Sequence, residues 1–220
     1  VTGTLALVGG GEWTDGCTFD AELLALSGGT EVLVLPTAAA YEHPERAVAT
    51  AEKWFAGLGA TARGLMVLRR PDAEDDANAA AVREARFVYL AGGSPMHLRS
   101  VLKDSKVWSA LLAVWESGGV LAGSSAGAMV LCDPMVDPRG GAFTVGLGLI
   151  EQVAVIPHHD TWSHDKERRT LALAPPGLRI VGIDERTACI RRPDGTWHAA
   201  GAGKVTVFCD GRVVGLDALP

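Results

Sequence analysis

No run of lysines and arginines of the kind that follows a phosphate backbone occurs in these 220 residues, and the formal charge is −6, so nucleic acid is excluded as an expected partner. There is also no uninterrupted apolar stretch long enough to cross a bilayer, and no basic segment leading into a signal-like apolar one. A soluble, cytoplasmic protein with no membrane partner is the resulting expectation. Cys17, Cys132, Cys189 and Cys209 are scattered, without the close pairs of a structural zinc site or a small disulfide scaffold, and read as ordinary core residues. The cluster His158, His159, Asp160 and His164 lacks the HExxH order, so neither a metal nor another cofactor is expected. Gly9, Gly10 and Gly11 end the first apolar run, but Glu12 and Trp13 stand where a nucleotide-binding loop needs small residues and no P-loop lysine follows. No internal repeat or low-complexity tract is present.

What is present is enough apolar material, 48% of residues, for one substantial core, and residues 1–220 are expected to form one domain. Apolar runs at 5–8 and 32–35 read as parallel strands buried on both faces, and 62–68, 87–91 and 120–122 read as further strands. Between them, 19–26, 44–58, 76–85, 95–102 and 107–117 carry helical spacing, and the alternation is that of a βα series with a parallel sheet. Further strands are expected at 153–156 and 180–183, on the same sheet rim. Short strands at 188–192, 197–199, 205–209 and 213–216, separated by Asp194-Gly195 and Asp210-Gly211, predict antiparallel hairpins added at the C-terminal end. Residues 70–78 and 134–148 read as exposed connections, the second close enough to form a pocket wall. The apolar helix faces suit either the sheet or a second copy, which leaves a homodimer open.

The chemistry concentrates at Gly123-Ser124-Ser125-Ala126-Gly127, where an apolar strand turns sharply into a small-residue helix start. A serine on such a turn is exposed at the sheet edge as a candidate nucleophile, while free N–H groups of the helix start face any anion formed beside it. The C-terminal ends of parallel strands share one rim, which here gathers Gly9–Glu12, Gly92–Pro95, Ser125, His158–Asp160 and Asp184–Glu185. Either His158 or His159 can take the serine proton. Glu185, Asp184, Asp160, Asp133 and Asp137 are all candidates for the carboxylate that orients the base. Gly93 and Ala126 lead as backbone donors to an oxyanion.

LALVGGGEW, VYLAGGSP, AGSSAGAM, IPHHD and VGIDERTA, in this order, resemble the dipeptidase E and cyanophycinase family of serine peptidases. The resemblance implies a three-layer α/β/α sandwich with a mostly parallel central sheet, similar to the class I glutamine amidotransferase domain. It implies Ser125 as nucleophile, His158 as base and, from the cyanophycinase branch, Glu185 as third member; the dipeptidase branch leaves Asp137 and Asp133 as alternatives. The implied activity is hydrolysis of small, perhaps acidic, peptides through an acyl-enzyme. Gly10, Ser94, His159, Arg168 and Arg169 are the expected substrate contacts. Two departures bear on substrate: cyanophycinase-like proteins carry GGDQ where this chain has Gly92-Gly93-Ser94-Pro95, and His159 occupies a slot usually aromatic. A non-catalytic binding protein on the same scaffold is the alternative, and a buried His158 or a blocked pocket at Ser125 would be its mark.

Overall fold

The computed structural model describes residues 2–220. Five parallel strands, β1 (Thr4–Val8), β2 (Glu31–Leu35), β3 (Thr61–Gly64), β4 (Phe87–Leu90) and β5 (Val120–Ser124), form most of a seven-stranded sheet. Successive side chains of a strand point to opposite faces, and in β1, β2, β4 and β5 both faces are buried, whereas β3, at the sheet edge, stays partly exposed. Leu5, Leu7, Leu33, Leu35, Val88 and Leu90 enter one core, while Ala6, Val8, Val32, Val34, Phe87 and Tyr89 enter the other. That two-sided burial is why these strands read as continuous apolar runs.

Helices α1 (Phe19–Ser27) and α2 (Pro44–Gly57) cover one face through Phe19, Leu23, Ala51 and Phe55. The other face receives α3 (Arg70–Ala73), α4 (Asp76–Glu84), α5 (Pro95–Leu102), α6 (Lys106–Glu116) and α7 (Ala126–Leu131), all contributing to the core that holds Leu5, Leu7 and Leu33. The result is the expected α/β/α sandwich. The short helix at 70–73 lies within the segment expected to be a connection; its Asp72 carboxylate accepts the N–H groups of Leu68 and Arg69 and closes the turn. The extended segment also ends before residue 68: β3 stops at Gly64, and the Val67 N–H turns back to the Leu65 carbonyl at 2.8 Å.

After α7 the chain makes two short pairings within the 134–148 region and its flanks: β6 (Cys132–Asp133) with β9 (Ile150–Glu151), and β7 (Met135–Val136) with β8 (Phe143–Thr144). Met135 and Val136 are fully buried, so part of this region is core and not an exposed connection. Next come β10 (Val153–Ile156) and β11 (Arg179–Ile183), with α8 (His164–Ala172) between them. These two strands do not join the main sheet. They pair in parallel in a second sheet that continues antiparallel through β14 (Val205–Cys209) and β15 (Arg212–Val214). β12 (Thr187–Arg191) and β13 (Trp197–Gly201) extend the main sheet antiparallel beside β1. Asp210 and Gly211 both have positive φ, 49° and 73°, as a type I′ hairpin turn requires. Among the described residues no helix is long and apolar enough to cross a membrane.

Candidate active site

Ser125 sits between β5 and α7 with φ 48° and ψ −105°, a conformation sparsely populated by side-chain-bearing residues. Its neighbours hold it there: the Ser125 N–H donates to the Val8 carbonyl at 2.9 Å. A Cβ on Gly123 would lie 2.5 Å from the Gly127 carbonyl carbon, so strand and helix approach too closely for side chains at either end of the turn. Ser125 itself stays partly exposed in an otherwise buried segment.

His158 and Glu185 arrive from the second sheet, from the turns after β10 and β11. The His158 backbone N–H donates to the Gly9 carbonyl at 2.7 Å and the Arg186 N–H donates to the Gly10 carbonyl at 2.7 Å, so the glycine turn after β1 stitches both loops to the main sheet. The imidazole Nε2 lies 2.9 Å from Ser125 Oγ, and Nδ1 lies 2.7 Å from Glu185 Oε1. An ionised carboxylate only accepts, so Nδ1 carries the proton and the Nε2 lone pair faces the serine hydroxyl. Both side chains keep about a third of their surface exposed, 35% and 37%.

The other predicted residues take different places. Asp160 does not touch the imidazole; its Oδ1 accepts the Glu185 backbone N–H at 3.0 Å. Asp133 accepts the Gly146 N–H at 2.8 Å. Asp137 is gripped by Arg139, whose guanidinium and backbone N–H hold the carboxyl down at about 2. Asp184 accepts the Lys204 N–H. His159 is mostly buried, its Nε2 2.6 Å from Glu167 on α8, and faces away from Ser125 into the edge of Phe208. Ser94 caps α5 by accepting the His97 N–H. Gly10 gives room to the base: a Cβ there would lie 2.1 Å from His158 Cε1. Arg168 and Arg169 pair with Asp165 on the exposed side of α8 and do not line the cavity at Ser125. Among the described residues no group of three His, Cys, Asp or Glu side chains converges as a metal site.

That cavity is small, about 160 Å³, and is bounded by Gly93, Ser125, Met129, His158, Trp162 and Lys166. Pro138, from the 134–148 segment, forms part of its wall as expected. The larger concavity of about 740 Å³ beside α2 contains none of Ser125, His158 or Glu185. The N–H groups of Gly93 and Ala126 have no hydrogen-bond partner among the described residues. Two residues of this region were not legible as site residues. Lys166 brings the cavity's cation, 3.9 Å above the Trp162 ring, with Nζ donating to the Pro138 carbonyl at 3.1 Å. Glu12 accepts the Gly92 N–H at 3.0 Å and the Ser124 hydroxyl at 2.7 Å. Its signal was a carboxylate placed directly after a glycine turn at a strand tip.

Comparison with known proteins gives three findings. Residues 5–197 match the profile of peptidase family S51. The crystal structure of a peptidase from an acI-B1 Actinobacterium superposes with a TM-score of 0.83 at 31% identity, covering 97% of this chain and 96% of that one. Among curated sequences, the chain is 30% identical to a cyanophycinase of Synechococcus elongatus over 153 residues and 23% identical to the peptidase E of Citrobacter koseri over 194. The first alignment takes in 65% of this chain and 48% of the cyanophycinase, and the second 83% and 78%. The chain thus spans about half the length of the cyanophycinases it matches.

Proposed function

The chain belongs to peptidase family S51, and on that premise we propose that it is a serine hydrolase cleaving amide bonds of small peptides through an acyl-enzyme. The observation that carries this reading is the unbroken hydrogen-bonded series from Ser125 Oγ through His158 to Glu185, at 2.9 and 2.7 Å, opening onto a cavity. Ser125 Oγ attacks the substrate carbonyl carbon as its proton passes to His158 Nε2. The oxyanion forms against the Gly93 and Ala126 N–H groups. His158 then protonates the leaving amine, the C–N bond breaks, and the acyl group remains on Ser125. Water repeats the sequence: His158 takes its proton, the ester is attacked, and the proton returns to Ser125 as the acid departs. Glu185 holds the imidazole in the required tautomer and stabilises the imidazolium.

Small, acidic substrates suit the space and the charge. A cavity of about 160 Å³ has the volume of about five water molecules, enough for one side chain. Its cation is Lys166. Pro95, where the cyanophycinase-like pattern has glutamine, lines the same space. The expected partner is therefore a short peptide. The test is a panel of dipeptides with acidic, neutral and basic residues at each position, assayed by amine release. Turnover that disappears in Ser125→Ala, with the acidic members preferred and that preference lost in Lys166→Met, supports the reading; equal turnover by Ser125→Ala contradicts it.

A further inference from the structure

We infer that Glu12 is a positioning residue of the oxyanion hole, acting through the two backbones that it ties together; the inference rests on the reading of Ser125 and Gly93 above. Strands β4 and β5 are hydrogen-bonded neighbours in register, Leu90 opposite Gly123, and each ends in a turn that supplies one component of the site. The first turn carries Gly93 and the second carries Ser125. Glu12 bridges them beyond the last ladder bonds: Oε1 accepts the Gly92 N–H at 3.0 Å, and Oε2 accepts the hydroxyl of Ser124, the residue before the nucleophile, at 2.7 Å.

The Gly92–Ser94 turn is held from both flanks. On the far side the Ser94 N–H donates to the Ala38 carbonyl at 2.8 Å, and Gly93 lies so close to that carbonyl that a Cβ would sit 2.3 Å from its oxygen. With Gly92 N–H fixed by Glu12 and Ser94 N–H fixed by Ala38, the peptide between them cannot rotate freely, and its unpaired N–H keeps one direction. Preorganisation of that kind makes a donor effective, because no reorientation accompanies charge development. Glu12 is itself anchored, since the next residue, Trp13, is buried with its ring against Tyr89 at 5.1 Å. The sequence GGGEW is therefore a rigid bracket whose carboxylate faces the neighbouring strand tips. The bracket uses the acceptor oxygens and not the negative charge, since a charge there opposes the oxyanion.

Glu12→Ala, Glu12→Gln and the wild-type chain distinguish these roles. Removing a donor outright lowers kcat by ~10²–10³-fold elsewhere; a donor left present but unheld predicts a fall of ~10–10²-fold in Glu12→Ala, with KM little changed. Glutamine keeps an acceptor for Gly92 and can donate to Ser124 Oγ, so Glu12→Gln restores most of kcat. The affinity of a peptide aldehyde, whose hemiacetal oxygen occupies the same hole, falls in parallel with kcat in Glu12→Ala and returns in Glu12→Gln. Thermal melts verify folding; where Glu12→Ala does not fold, Ser124→Ala, which frees one end of the bracket, gives a smaller fall in kcat and aldehyde affinity. Wild-type kcat in a folded Glu12→Ala or Ser124→Ala, or a Glu12→Gln as slow as Glu12→Ala, overturns the inference while leaving the hydrolase reading standing. Absence of wild-type turnover together with absence of acylation at Ser125 removes the hydrolase reading beneath it.

Discussion

Gly10→Ala separates the geometry of the base from the stability of the fold. The added Cβ would lie 2.1 Å from His158 Cε1 and 2.6 Å from both ring nitrogens, whereas ordinary contact begins near 3.4 Å. The imidazole must therefore shift by about 1.3 Å, more than the ~0.6 Å that separates its 2.9 Å contact with Ser125 from the limit of hydrogen-bond reach at about 3.5 Å. A displacement of that size predicts a loss of ~10²-fold or more in kcat, or ~2.7 kcal/mol of transition-state stabilisation. The backbone adds a separate cost: φ at Gly10 is +114°, and a side chain there is strained by ~1–3 kcal/mol. Each kcal/mol lowers Tm by ~2–4 °C in a domain of this size. Gly28→Ala is the control, since φ there is +65° with nothing within 4 Å of the added carbon; it lowers Tm modestly and leaves turnover unchanged. Initial rates on an accepted acidic dipeptide, read beside circular-dichroism melts, check both. A folded Gly10→Ala with wild-type kcat/KM would refute the placement of His158 as the base.

Three further outcomes follow from the same coordinates. Glu185→Gln removes the carboxylate charge and offers His158 Nδ1 an amide donor that favours the wrong tautomer, and kcat is expected to fall by ~10²–10⁴-fold with KM nearly unchanged, whereas Asp160→Asn, at a residue that only accepts a backbone N–H, costs far less. Burial pushes the Asp20 carboxyl up to about 8, one oxygen taking the Trp54 indole N–H and the other unpartnered. The native state therefore holds a proton that the unfolded chain has released above about 4, and stability falls as pH rises from about 4 to about 8, at up to ~1.4 kcal/mol per pH unit. Asp20→Asn should accordingly gain in Tm over wild type progressively across that range and by a constant margin above it; a margin independent of pH contradicts the burial argument. Burial also raises the Cys132 thiol to about 12 and pushes Cys189 up. Native-state alkylation followed by peptide mass mapping should therefore modify the half-exposed Cys209 and spare those two.

The central sheet was legible because residues buried on both faces leave a local record: Leu5 to Val8 and Val32 to Leu35 are apolar at every position. The hairpin at Asp210-Gly211 was legible because only residues tolerant of positive φ make that turn. The second sheet was not, since β10 and β11 have the same apolar character as strands of the first and no local feature says which sheet receives them. The serine turn was readable from its small residues, while the choice among carboxylates depended on loops meeting across two sheets. Asp160 and Glu185 are 25 residues apart and meet through a backbone N–H, a relation with no periodic trace. Arg168 and Arg169 drew attention as an adjacent cationic pair, yet helical rotation turns both toward Asp165 and brings Lys166 to the cavity.

The most direct measurement is covalent trapping with a phosphonate carrying a short acidic peptide, followed by peptide mass mapping of wild type, Ser125→Ala and Ser124→Ala. A single adduct on Ser125 in wild type and Ser124→Ala, and none in Ser125→Ala, is the predicted result. A folded protein that takes the label elsewhere, or none at Ser125 while it turns over substrate, contradicts the account.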